Sequence, residues 1–446
     1  MRKLFATLLA GAMLLGLAAC GDSATGGGKL PLPNTTGDDS ALANDFQKHS
    51  DGGFYEAFNR VCETESGYYF TQSQFLQYMD KETKAITPLC TKPNCKHNYD
   101  DAKICTAYVG STNLLTYYDG KLYFCNSWSE AENLKSDRVT RLFSINLDGT
   151  GLTEVQDLEH KPVENSDQDR SRAYIIHRGI VYFSLSGEVY AVKLGGKIDD
   201  AVKIVGTHVE GQTGAIQTFS PYQSSWSLWA DGDDIYMMQN NAVKEDKTFT
   251  QVLYRYNAVS QKTEQVWQTP DKAEVGEWET TGVSVTDWYI TGGYIYFYLS
   301  GNDVWRTDLA SGKTERVAKV SEKAEMGEAF FTDQFIYILK QHSPNRTNVV
   351  GGAPEHLGGE ALLVYGLDGS LIKEISLRKF IEKFDSFNKS EFAWATPDGV
   401  FLTSQIYHRN AGAEESYGWT NVLSFVSTDD GSVTEISGYP GAKRRN

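Results

Sequence analysis

A short aromatic strand, usually leaving a Gly-containing turn, is followed by a second alternating strand seven times along this chain. That recurrence constrains the fold more than any other feature. The first strands read Gly67-Tyr68-Tyr69-Phe70, Gly120-Lys121-Leu122-Tyr123-Phe124, Gly179-Ile180-Val181-Tyr182-Phe183, Asp234-Ile235-Tyr236-Met237, Gly293-Tyr294-Ile295-Tyr296-Phe297, Gln334-Phe335-Ile336-Tyr337-Ile338 and Gly399-Val400-Phe401-Leu402. The second strand is clearest at Leu142-Phe143-Ser144-Ile145-Asn146, which runs into the turn Leu147-Asp148-Gly149, and recurs at Val304-Trp305-Arg306-Thr307-Asp308 and Leu363-Val364-Tyr365. A third strand leaves that turn, as in Thr314 to Val317 and Leu371 to Ile375. Alternation rich in β-branched and aromatic residues argues strand and not helix. Proline is scarce inside these runs, so they can sit centrally in sheets.

The equivalent aromatics Tyr69, Tyr123, Tyr182, Tyr236, Tyr296, Tyr337 and Phe401 are spaced 41 to 64 residues apart. That is the length of a four-stranded propeller blade with its loops. The pattern predicts an all-β β-propeller of seven blades, each of four antiparallel strands, over residues 54–440. A β-sandwich or a pair of barrels has no reason to repeat one strand–turn–strand signature seven times. The only stretch suited to a short helix is Leu377 to Phe387. With 446 residues, 40% of them hydrophobic, the chain has material for one large repeat core.

The N-terminus reads as an address. Arg2 and Lys3 precede an apolar run of 16 residues, Leu4 to Ala19, short for a membrane span and suited to a secretory signal. Its end, Leu17-Ala18-Ala19-Cys20-Gly21, resembles the bacterial lipobox. That resemblance implies removal of a signal peptide, 1–19, acylation of Cys20, and a lipid-anchored protein outside the cytoplasm in a bacterial cell envelope. Residues 20–53, with Gly26-Gly27-Gly28, Pro31, Pro33 and scattered polar residues, read as a flexible tether. The formal net charge of −16 becomes more negative once Arg2 and Lys3 are gone, and no basic run offsets it. Such a surface repels phosphate backbones, so nucleic acid is not an expected partner.

The Leu-Phe-Ser-Ile-Asn-Leu-Asp-Gly-Thr-Gly stretch from Leu142 to Gly151 resembles TolB-type bacterial propeller repeats. Tyr78-Met79-Asp80-Lys81-Glu82-Thr83-Lys84, followed by Pro88-Leu89-Cys90-Thr91-Lys92-Pro93-Asn94-Cys95-Lys96-His97, resembles a group of bacterial propeller lipoproteins with no agreed activity. The resemblance covers most of the mature chain and implies fold and location. The Asp-Gly pair is read as turn chemistry, since both residues suit tight turns, in preference to calcium binding.

One cluster is chemically pointed. Cys90-x4-Cys95-x-His97-x7-Cys105 offers three thiols and an imidazole between the first two units. The ligand set suits zinc or a soft metal, and export favours disulfides. Cys62 and Cys125 bring the mature cysteines to five, so complete pairing within the chain is impossible. A disulfide, a structural zinc and unpaired thiols all remain open on spacing alone. Either of the first two makes the cluster a clasp on a long connection.

Enzyme signatures are absent. Ser300-Gly301-Asn302-Asp303-Val304-Trp305 grazes a sialidase turn once, and Asp308-Leu309-Ala310-Ser311-Gly312-Lys313 matches a quinone-dehydrogenase turn without its tryptophan. No nucleophile elbow, zinc-protease helix or Walker loop occurs, and no catalytic residue is assigned. His177 reads as a hydrogen-bonded filler. Aromatics in irregular stretches are the better lead: Trp128, Tyr222, Trp226, Trp278 and Trp419 are candidates for stacking on a sugar or a partner's apolar patch. Insertions at 128–140 and 341–360 interrupt strand pairs and shape one face. The reading is a non-catalytic binding or scaffolding propeller for a glycan, peptide or envelope partner. Its rival is a surface glycan hydrolase or lyase with acidic residues lining the channel.

Overall fold

In the computed structural model the described residues are 49–50, 61–72, 74–110, 115–126, 139–159, 173–185, 188–206, 226–243, 248–269, 273–274, 285–299, 303–319, 328–342, 358–381, 387–409 and 417–436. The signal segment 1–19, Cys20 and the 20–53 tether apart from His49 and Ser50 lie outside them.

These residues form seven antiparallel sheets, each built on one continuous stretch, 61–88, 115–157, 174–206, 226–268, 285–319, 328–376 and 387–435, with His49–Ser50 and Ala273–Glu274 added to the fourth. Within each, four strands pair in chain order. The first strands are Val61–Glu63, Leu115–Tyr118, Tyr174–His177, Trp226–Asp231, Val285–Thr291, Glu328–Phe331 and Phe387–Thr396. Each lies against the first strand of the next sheet, and the last returns to the first. The sheets are therefore blades around an axis lined by their first strands: a seven-bladed β-propeller, as the repeat predicts. The one α-helix among the described residues is Arg378–Ile381, at the start of the stretch expected to be helical.

The second strand of each blade explains the repeat. It is flanked by strands on both sides and buried on both faces, so its apolar residues serve two inter-blade cores at once. In blade 2, Leu122 and Phe124 pack into the core shared with blade 1, while Tyr123 and Cys125 pack into the one shared with blade 3. The seven recurring aromatics all sit on this strand and are at most 7% exposed. Each contributes about 1.5–3 kcal/mol of burial.

The Asp148-Gly149 and Asp368-Gly369 turns join third to fourth strands. Asp148 Oδ1 accepts from the Thr150 N–H (2.9 Å) and hydroxyl (2.6 Å), and Asp368 Oδ1 does the same with Ser370. The carboxylates are thus turned onto their own backbone. The glycines have two constraints. Gly149 has φ of 81° and Gly369 of 84°, which L side chains rarely adopt. A Cβ on Gly149 would stand 2.5 Å from the Leu89 carbonyl oxygen, and one on Gly369 would overlap the Val317 carbonyl. Each turn rests on the preceding blade, with no room for a side chain.

The antiparallel order fixes which loops share an end of the propeller. First-to-second and third-to-fourth strand turns lie at one, the turn end, and the former are short: Asp119-Gly120 and Arg178-Gly179 have positive φ throughout, as two-residue hairpins require. Second-to-third strand hairpins and all blade-to-blade connections lie at the other, the insert end. Both long insertions therefore emerge on one face.

Candidate metal centre and insert-bearing face

After the fourth strand of blade 1, Ile86–Pro88, the chain makes an irregular excursion over 89–109 before blade 2. Its sequence has no apolar period, and its only regular piece is a 3-10 turn, Tyr99–Asp101. The ends are sewn to blade 1. Leu89 N–H donates to the Leu76 carbonyl (3.0 Å), Leu76 N–H to Ala107 (2.7 Å) and Val109 N–H to Gln74 (3.0 Å). The Tyr108 hydroxyl donates to Gln74 Oε1 at 2.8 Å, and Asn126 Nδ2 of blade 2 donates to the Val109 carbonyl at 2.5 Å. Leu89, Ala102, Cys105, Ala107, Tyr108 and Val109 join the core between blades 1 and 2.

Between those ends the chain is shaped by Asp101 and Asn98. Asp101 Oδ2 accepts from the Lys96 N–H at 2.6 Å, and its carbonyl accepts from the Cys105 N–H at 2.8 Å. Asn98 Oδ1 caps the 3-10 turn through the Asp100 N–H at 3.1 Å. His97 is held at φ of 51°, a left-handed conformation that costs roughly 1–2 kcal/mol. The result is convergence. Cys90, Cys95, His97 and Cys105 each bring one ligand atom to within 4.8 Å of the others, and Cys105 Sγ stands 3.6 Å from His97 Nδ1.

Those distances discriminate between the alternatives left open by spacing. A disulfide needs sulfurs about 2.05 Å apart, and none of the five described cysteines forms one. Four groups converge here, where a disulfide would join two. A tetrahedral metal with a sulfur at about 2.3 Å and a nitrogen at about 2.05 Å sets those two atoms about 3.6 Å apart. The Cys105–His97 separation matches that edge. Three thiols and an imidazole can hold a metal ion.

The groups differ in proton affinity. Burial pushes the Cys105 and Cys95 thiols up. Burial also acts on Cys90, but hydrogen bonds from Thr106 and the Lys92 backbone outweigh it and bring that thiol down to about 7. Burial lowers His97 and keeps its imidazole neutral, the form a metal takes. Three exposed lysines, Lys92, Lys96 and Lys103, lie in the same loop.

Of the stacking candidates, Trp128, Tyr222 and Trp278 lie outside the described residues. Trp226 is corrected: it begins the first strand of blade 4, is fully buried, and packs 5.9 Å from the Tyr254 ring inside the core between blades 3 and 4. Trp419 does not lie in an irregular connection but in the third strand of blade 7, Tyr417–Ser427, opposite Tyr407. That strand and its partner, Gly399–Arg409, form the longest hairpin described. Its counterpart in blade 1 pairs only Gly67–Gln72 with Phe75–Asp80. Register runs unbroken from Gly399↔Ser427 to Arg409↔Tyr417. In the backbone ladder Gln405 stands opposite Asn421, Tyr407 opposite Trp419 and Arg409 opposite Tyr417. Sequence reading missed Tyr407, Arg409 and Tyr417, although the alternation in 405–409 and 417–421 carried the signal.

At the turn end, Glu63, Asp398 and Asp233 are engaged with cations and a hydroxyl. Lys81 Nζ lies 2.6 Å from Glu63 and 3.8 Å from Asp398, the Tyr68 hydroxyl donates to Asp398 at 2.9 Å, and Arg178 pairs with Asp233. This arrangement ties turns of different blades together and poses no acid against a base. His177 is 7% exposed with Nε2 2.8 Å from the Gly232 carbonyl, the filler role expected of it.

No protein-family model and no curated protein matches the chain. Solved structures do. BamB from Moraxella catarrhalis is 10% identical over 79% of this chain and 94% of that one, with a TM-score of 0.37. Oligopeptidase B from Leishmania major is 9% identical over 90% of this chain and 50% of that one, with a TM-score of 0.47. The computationally designed Ika8 protein is 8% identical over 81% and 95%, with a TM-score of 0.38.

Proposed function

We propose that this chain is a lipid-anchored, extracytoplasmic bacterial propeller that binds and does not transform its ligand, recognising an envelope glycan at the insert end, with a structural zinc at Cys90, Cys95, His97 and Cys105. The blade 7 ribbon carries the reading of the ligand. Its backbone register sets Gln405, Tyr407 and Arg409 opposite Asn421, Trp419 and Tyr417, three aromatic residues and three with planar, hydrogen-bonding head groups. Sugars are recognised by that combination: aromatic faces meet the C–H face of a pyranose ring, and amide or guanidinium groups meet its hydroxyls.

Zinc, when bound, supplies a cross-link where the 89–109 excursion lacks a core of its own. Cys90, Cys95, His97 and Cys105 would be its four donors, and Asp101 and Asn98 hold the backbone that carries them. The lipid anchor rests on Cys20 and its preceding small residues. Replacing Cys20 with Ser is expected to abolish fatty-acid incorporation and release the protein from membranes; label that persists in Cys20→Ser refutes the anchor.

The binding reading is tested by titrating the full-length chain with hexasaccharides of β-linked glucose, xylose and N-acetylglucosamine and with peptidoglycan fragments. At least one is expected to bind intact. Trp419→Ala is expected to weaken it about tenfold, or about 1.4 kcal/mol, without moving the unfolding midpoint. Shortened products identify the hydrolase or lyase instead. Binding of peptides alone assigns the surface to a protein partner.

A further inference from the structure

The blade 4 sheet contains a strand that does not belong to its blade. His49–Ser50 pairs antiparallel with the first strand of blade 4, Trp226–Asp231, in the register His49↔Trp229 and Ser50↔Leu228. It also lies against Tyr174–His177, the first strand of blade 3. First strands line the axis, and their inner edges have no neighbour within their own blade. The arm therefore sits in the central channel, where its backbone meets N–H and C=O groups of an otherwise open edge.

The direction of the arm follows from the register. Trp226–Asp231 runs from the insert end to the turn end, because Asp231 leads directly into the turn to Asp234. As the arm advances from residue 49 to 50, its partner retreats from 229 to 228, so the arm climbs toward the insert end. His49 is thus the end of this strand nearer the turn end. The path after it is consistent. Val61, where blade 1 begins, lies at the insert end, and the ten residues 51–60 span up to about 35 Å, ample to cross the ring.

We infer that the N-terminal arm threads the central channel between blades 3 and 4, so that the N-terminus leaves at the turn end and the insert end is presented away from the membrane. The membrane half of this inference rests on the lipid anchor at Cys20; the threading does not. Two consequences agree with the rest of the molecule. The channel wall at blades 3 and 4 is occupied by the chain's own backbone, which directs ligand recognition to the insert end. The turn end also carries the exposed carboxylates Asp119 and Asp333. These repel anionic headgroups, so the body stands off on its tether and does not settle on the lipid.

Two measurements on the full-length chain test this. With p-benzoylphenylalanine in place of His49, irradiation is expected to cross-link within one molecule to peptides containing 226–231 or 174–177. Cross-links to outer strands, between molecules, or none at all overturn the threading, and the same residue at position 50 repeats the test if the first variant does not fold. For orientation, the lipidated chain is placed on phosphatidylcholine–phosphatidylglycerol vesicles with an acceptor dye on the headgroups. A fluorescent amino acid replaces either Asp119, exposed at the turn end, or Lys379, exposed in the connection from blade 6 to blade 7 at the insert end. Energy transfer is expected to be greater from position 119; equal or greater transfer from 379 overturns the orientation. Flotation with the vesicles is read separately. A chain that does not float refutes the lipid anchor, while the cross-link still decides the threading.

Discussion

Among the four groups of the candidate metal centre only Cys105 is buried, at 4% exposure, and its surroundings set the chemistry of the cluster. A buried thiol that meets an imidazole at 3.6 Å and two further thiols has three neighbours and no single partner. Zinc accepts that set and a disulfide leaves half of it over. Zinc therefore makes a forecast that a disulfide does not. Chelator should lower the thermal midpoint of the full-length chain and mimic Cys95→Ser, while reductant alone should leave it unmoved. His97→Ala should be nearly as harmful as Cys95→Ser, because each removes one of four donors. Metal analysis of the purified protein should find zinc, and less of it in both variants. A midpoint sensitive to reductant but not to chelator would falsify the zinc assignment. The four residues were legible as a group in the sequence, because three cysteines and a histidine within one unstructured connection have few other uses. Spacing did not choose between staple and metal. That choice depends on where the loop path, set by Asp101 and by the left-handed His97, delivers each side chain.

At the scale of the strand and turn, alternation was the strongest signal, and it held because the second strand of every blade is buried on both faces. The same signal failed where a strand runs past the blade. Trp419 sits beside Gly418 and close to Glu414 and Glu415, a composition that suggests a loop, yet its pairing with Tyr407 continues a ladder begun in the blade core. Trp226 failed in the opposite sense: it follows a Ser pair and looks like a loop residue, but it opens the strand that lines the channel. The Asp turns were read correctly, and they carry a pH dependence. Asp80, Asp148, Asp308, Asp368 and Asp430 are all held below the usual carboxylate range by hydrogen bonds from their own turns. Asp430, which accepts from the Ser432 N–H at 2.9 Å, is brought to about 2. A carboxyl depressed in the folded state stabilises it above its unfolded value of about 3.9 and loses that contribution as pH falls toward the folded value. The unfolding midpoint should therefore drop between about pH 4 and pH 2, and Asp430→Asn should make the drop shallower, since its amide cannot titrate. An unchanged slope in that variant assigns the acid sensitivity to other groups.

The whole molecule must close a ring, and the point of closure is where its stability is decided. Among the described residues no strand is exchanged between blade 7 and blade 1: all four strands of each come from one stretch of chain. Side chains alone seal the joint. Tyr68 of blade 1 meets Phe401 edge-on at 5.0 Å and donates to Asp398, Gln72 Nε2 reaches the Ile436 carbonyl at 3.0 Å, and Lys84 Nζ lies 4.7 Å from the centre of the Phe425 ring. Val61, Phe70, Met79 and Leu423 fill the space between. Every other seam has the same kind of packing but is also spanned by the covalent chain passing from one blade to the next. The blade 7–blade 1 seam has no such link, so its loss opens the ring, whereas weakening another seam leaves two blades still tethered. Phe401→Ala should cost about 3–5 kcal/mol by cavity formation, and Tyr68→Phe about 1 kcal/mol for the lost hydrogen bond to Asp398. Chemical denaturation of the two variants measures both. Hydrogen exchange distinguishes seam opening from general destabilisation. In Phe401→Ala, amides of blades 1 and 7 should exchange faster while those of blades 3, 4 and 5 keep their protection. In a control with Phe183 of blade 3 replaced by Ala, equally buried, the outermost blades should show no such preference. If Phe401→Ala instead raises exchange uniformly around the ring, the seam is no weaker than its neighbours, and closure is carried by something other than the Tyr68–Phe401–Phe425 cluster.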